Sequence, residues 1–140
     1  MEILYPMFVV ILLSGTLFLI LVATRIPAIF KNFGNLQVAK HSDDLRPLLP
    51  NFGRNVTDNY NHLFEQPTLF YALITYIYLI GDTDTTHVYL ASIYAGLRVM
   101  HSIIQITSNN VSYRAIVFIG SGTCLTFMIA KELIFFIARS

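Results

Sequence analysis

Ile3-Leu4-Tyr5-Pro6-Met7-Phe8-Val9-Val10-Ile11-Leu12-Leu13-Ser14-Gly15-Thr16-Leu17-Phe18-Leu19-Ile20-Leu21-Val22-Ala23-Thr24 contains no charged side chain. About 20 helical residues cross a hydrocarbon layer ~30 Å thick, so this stretch reads as one complete membrane-spanning helix. The whole composition agrees. Of the 140 residues, 55% are hydrophobic and 12% charged, and the mean hydropathy is +0.62. An average soluble domain carries about 25% charged residues. Too few charges are present to cover this apolar surface in water, and the chain is too apolar to be disordered. A net charge of +1 leaves no electrostatic footprint for nucleic acid. Cys124 is the single cysteine, which excludes an intrachain disulfide and a cysteine metal cluster. His41, His62, His87 and His101 are scattered without metal-ligand spacing. The Met1-Glu2 start lacks the basic n-region of a cleaved signal peptide.

Three further spans are predicted, at residues 56–80, 86–106 and 113–137. Together with 3–24 they describe an all-α, integral membrane four-helix bundle in a single domain, 1–140. None of them alternates with period two, as a membrane β-barrel would. The long first connection, 25–55, holds Arg25, Lys31, Lys40, Arg46 and Arg54. It also holds Pro27, Gly34, Pro47, Pro50 and Gly53, which argue against one continuous helix there. The second connection, 81–85, holds Asp82 and Asp84 and no basic residue. Basic connections stay in the cytoplasm, so both termini are expected on the non-cytoplasmic side. Asn55-Val56-Thr57 and Asn110-Val111-Ser112 then face the cytoplasm and read as chance matches to a glycosylation triplet.

Ionisable groups inside a span are costly, about 2.5–3.5 kcal/mol at the helix centre on insertion scales. The second span nevertheless carries Asn59, Asn61, His62 and Glu65, and the third carries Arg98, His101 and Gln105. At 1.5 Å rise per residue, Glu65 and Arg98 each lie ~13 Å in from the same surface. Their matched depth predicts a buried ion pair. Asn61 and Glu65 are four residues apart on one helical face, and Arg98, His101 and Gln105 share another. With Arg114 opening the fourth span, these six residues are expected to line a polar cleft toward the cytoplasm. A small anionic, hydrogen-bonding ligand would suit it. Each residue also has a structural reading: a register-fixing pair for Glu65 and Arg98, interhelical hydrogen bonds for Asn61, His101 and Gln105, and a topology charge for Arg114. Asn59 and His62 stay unassigned. Pro67 is expected to kink the second span and free a carbonyl beside Glu65.

Asn61-His62-Leu63-Phe64-Glu65-Gln66-Pro67-Thr68-Leu69-Phe70-Tyr71, then Leu97-Arg98-Val99-Met100-His101-Ser102, then Arg114, resemble the corresponding segments of a known family. It is MAPEG, the membrane-associated proteins of eicosanoid and glutathione metabolism. The likeness is strongest to its bacterial-type members, which implies a bacterial inner membrane. The resemblance further implies a homotrimer of four-helix bundles with glutathione as co-substrate, held between subunits near the cytoplasmic face. Carried over to this chain, Asn61, Glu65, Arg98, His101 and Gln105 are the expected glutathione-binding residues, with Arg114 as the catalytic cation that stabilises the thiolate. The second substrate would be a lipophilic small molecule arriving from the bilayer. The sequence departs from the family pattern in three places. Asn61 stands four residues before Glu65 rather than three, and His62 takes the three-before position. The Arg four residues before that Asn is replaced by Thr57 or Asp58. The Tyr expected seven residues after Arg98 is Gln105. A glutathione-dependent transferase or peroxidase is the first expectation. A non-catalytic lipid- or protein-binding scaffold and a proton-linked transporter are the alternatives.

Overall fold

The computed structural model describes residues 1–35 and 45–139; the part of the first connection that carries Lys40 and His41 lies outside them. Five α-helices follow in order: α1 (Leu4–Phe33), α2 (Asn51–His62), α3 (Gln66–Ile80), α4 (Thr85–Ile106) and α5 (Val111–Arg139). A short 3-10 turn, Arg46–Leu48, precedes α2. Leu4–Asn32, Asn51–Ile80 and Val111–Ala138 are each long and apolar enough to cross a membrane. Helix α4 matches the predicted third span in length but is less apolar. Its buried face mixes His87, Arg98, His101, Ser102 and Gln105 with Ala91, Tyr94 and Ala95.

Helix α1 runs nine residues past Thr24, through Arg25 and Pro27, where a break was expected. A proline removes only one backbone hydrogen bond. Gly34 ends the helix instead, with φ of +66° and its N–H bonded to the Phe30 carbonyl. Ile29 of α1 packs with Leu45 and Leu49, which pins the 3-10 turn against the end of α1.

The predicted second span begins earlier than expected, at Asn51, and is broken rather than kinked. Residues 63–65 separate α2 from α3. Pro67 sits in the first turn of α3, where its missing N–H costs nothing. The break therefore falls upstream of the proline.

Helix α4 packs against α1, α2 and α5. The interior divides into two halves. The half toward the Gly81–Asp84 connection is apolar, built from Val10, Phe70, Ile74, Ile77, Tyr94, Leu125 and Met128, among others. Phe70 and Tyr94 stack there with ring centroids 4.1 Å apart. The other half holds Asn59, Arg98, His101, Ser102, Gln105 and Ser121, all buried. Most of the buried polar side chains thus gather beside the break, with His87 and Glu132 as the buried polar pair at the opposite end.

At the opposite end, Asp84 caps α4 by accepting from the His87 backbone N–H at 2.8 Å. Lys131 donates to the same carboxylate. The His87 ring is fully buried, 3.1 Å from Asp84 and 3.0 Å from Glu132. The Lys131 ammonium, with the His87 N–H, holds the Asp84 carboxyl below the usual carboxylate range. A carboxyl lowered on folding adds stability above its unfolded pKa and loses it as pH falls through the lower, folded value. Asp84→Ala should therefore lose about 1 kcal/mol at neutral pH through the missing cap. It should also flatten the acid limb of a thermal-midpoint-against-pH curve measured in detergent.

Candidate functional site

The break in the second span leaves backbone groups short of helical partners, and one buried side chain, Arg98, meets one of them. Residue 62 ends α2, so its carbonyl lacks the Gln66 N–H of a continuing helix and accepts only a long turn bond, 3.5 Å, from the Glu65 N–H. Arg98 Nη2 donates to that carbonyl at 2.9 Å. A cation at a helix C-terminus is favoured by the helix dipole. Arg98 is completely buried, and its guanidinium carbon lies 5.6 Å from the Phe118 ring centroid. Its Nε and Nη1 have no hydrogen-bond partner among the described residues.

Glu65 stands at the cap position of α3 but makes no capping hydrogen bond. The Thr68 hydroxyl donates to the Glu65 carbonyl at 2.6 Å. The carboxylate instead lies 3.1 Å from His62 Nδ1, with 56% of the side chain exposed. The buried Glu65–Arg98 ion pair expected from matched depth is not formed. The reason is the break: it turns Glu65 off the face that an unbroken helix would present to α4, and the freed carbonyl takes the arginine.

The break also separates Asn61 from Glu65. Asn61 is exposed and lines a different, 190 Å³ cavity with Arg25, Arg46 and Asp58. The expectation that Asn61 and Glu65 share one face fails because α2 stops at His62.

Four of the expected residues remain on one side of the bundle. Among the described residues, three more of these groups lack partners. His101 is 3% exposed, and its Nδ1 has no hydrogen-bond partner there. Gln105 is fully buried, and neither amide atom has a described partner. Arg114 donates to the Asn109 side chain, and its buried Nε has no described partner. An open cavity of 320 Å³ brings His62, His101 and Arg114 together, lined on one side by Val111, Ala115, Phe118 and Ile119 of α5. His62 and His101 meet edge-on, ring centroids 6.0 Å apart, and Phe118 lies 6.0 Å from His101. The site is therefore a cationic and imidazole corner with an apolar wall. Buried donors without partners are costly, and this set would receive an anionic or polar ligand.

Several supporting contacts were not anticipated from the sequence. Ser102 Oγ donates to Asn59 Oδ1 at 3.1 Å, which locks α2 to α4. Asn59 had no assigned role, and its polarity one turn from His62 was the available signal. Ser121 Oγ donates to Gln66 Oε1 at 3.0 Å, which ties the start of α3 to α5. Gly122 makes room for that amide, since a Cβ there would lie 2.8 Å from Gln66 Nε2. His62 was also unassigned, although its i, i+3 spacing to Glu65 was visible. Among the described residues, no group of three or more His, Cys, Asp or Glu side chains could hold a metal ion.

The family comparison agrees with this architecture. The family model for MAPEG matches residues 3–134. No curated protein and no solved structure matches the chain. The match takes in every helix that builds the site, and the chain belongs to the MAPEG family.

Proposed function

We propose that this protein is a glutathione-dependent membrane transferase or peroxidase acting on lipophilic electrophiles. The observation that carries the reading is the 320 Å³ cavity in which Arg114, His101 and His62 face an apolar wall from α5. Glutathione has two carboxylates, peptide groups and a thiol. Arg114 supplies a cation for one carboxylate, and His62 and His101 on the same lining fit the polar remainder, while Arg98 and Gln105 are buried outside that lining. Asn61, in its separate cavity, contributes nothing to this pocket. Phe118, Ile119 and Val111 offer a lipophilic partner an apolar approach. A thiol is activated by a nearby cation, and Arg114 takes that role in the proposal.

The homotrimer belongs to the same reading. Its support is the face of α5 around Gly122, Thr123, Thr126 and Ala130, which borders an exposed 460 Å³ groove. Small residues let a neighbouring membrane helix approach closely. The basic first connection supports placing the termini on the non-cytoplasmic side of a bacterial inner membrane, with the site near the cytoplasmic surface.

Calorimetric titration of the purified protein in detergent with glutathione tests the reading. Saturable heat at or below millimolar concentration is expected. No heat at that concentration would remove it.

A further inference from the structure

Of the residues at the break, His62 is the one whose ring and backbone are both held in place. Its carbonyl accepts from Arg98, and its Nδ1 lies 3.1 Å from the Glu65 carboxylate. Its ring meets His101 edge-on. Nε2, the other ring nitrogen, has no hydrogen-bond partner among the described residues, and the ring lines the cavity that Arg114 also lines. Glu65 occupies a helix cap position, yet its carboxylate leaves the cap unmade and goes to the imidazole. A carboxylate on one ring nitrogen fixes the tautomer, with the proton on Nδ1 and the lone pair on Nε2. The same contact keeps the ring oriented when Nε2 accepts a proton. This is the arrangement of a general base with its orienting group.

We propose that His62 is the base that takes the thiol proton of the bound substrate and that Glu65 is its positioning residue. The inference rests on the thiol-using reading above and adds a residue and a step to it. In that step the S–H bond breaks, its electron pair stays on sulfur, and the proton passes to His62 Nε2. The Nδ1 proton remains shared with Glu65. When sulfur bonds to the lipophilic electrophile, the same imidazolium can return the proton to the leaving group or to the carbanion that results. Arg114, across the cavity, then serves as the electrostatic partner of the anionic sulfur rather than as the proton acceptor. The charged and titratable groups that face His62 are Glu65 from the break, Arg98 and His101 from α4, and Arg114 from α5.

The test uses the full chain in detergent with glutathione as the probe and reads two quantities. Calorimetry gives affinity, and ultraviolet difference absorbance gives the fraction of bound thiol ionised. The wild-type protein is expected to bind glutathione and to show the thiolate band at neutral pH. His62→Gln should bind within a few-fold of wild type but lose roughly tenfold or more of the thiolate signal. Glu65→Gln alters an exposed side chain and serves as the second variant should His62→Gln fail to fold. It should bind, and it should raise the pH at which half the bound thiol is ionised. A wild-type thiolate band in His62→Gln, or an unshifted midpoint in Glu65→Gln, overturns the dyad and leaves the transferase reading standing. Wild-type binding without any thiolate band overturns the dyad as well. No wild-type binding overturns both.

Discussion

Arg98→Ala is expected to destabilise the bundle by about 2–4 kcal/mol, from a lost charged hydrogen bond, a carbonyl left with only a long turn bond and a large cavity. The basis is that Arg98 is the largest fully buried side chain among the described residues and donates to the His62 carbonyl at the break. Glu65→Ala should cost under about 1 kcal/mol, the range of an exposed ion pair. A buried Glu65–Arg98 pair would make the two substitutions comparably severe, because each would leave the other charge buried and unpaired. Chemical unfolding of both variants in one detergent, followed by circular dichroism, separates these cases. Arg98→Met, which keeps much of the bulk but not the donor, should fall between wild type and Arg98→Ala.

Arg114→Ala should weaken glutathione binding by roughly ten- to a hundredfold, the scale of one lost charge-assisted hydrogen bond. Its effect on stability should be small. Arg114 is half-buried, and its one described side-chain hydrogen bond runs to the Asn109 side chain, close by in the turn before α5. Asn109 takes a positive φ of 48° in that turn, a conformation asparagine tolerates. The turn should therefore persist without the arginine. Calorimetry on Arg114→Ala beside wild type measures the loss. Unchanged affinity would assign Arg114 to topology alone.

Much of the architecture could be read from the chain. Uncharged length alone marks residues 3–24 as a span, and the structure extends that helix rather than moving it. A helix starts and stops within a residue of 86–106, where Asp84 caps it and the buried face recurs every three to four positions. The second span misled for a physical reason. Equal rise per residue holds only along an unbroken helix, and depth arithmetic set Glu65 opposite Arg98 on that assumption. Pro67 announced a disturbance, but nothing local in Leu63-Phe64-Glu65 says that three residues leave the helix. What fills the gap is tertiary: Arg98 is distant in sequence and supplies the donor that an ended helix lacks. The polar residues of α4 were legible as one stripe. Which of them meets the cavity depends on α5, where Phe118 and Ala115 carry no polar signal. His62 lay in plain view three residues before Glu65, and only the break shows that the two side chains converge.

The central claim is that a thiol ligand sits against Arg114 and His101, with its sulfur beside His62, under the Phe118 wall. An experimental structure of the full chain with glutathione tests it most directly. The account predicts density for the tripeptide in the cavity between the break and the first turns of α5. Density in the basin formed by Arg25, Arg46, Asp58 and Asn61, or none in either place at saturating glutathione, would contradict it.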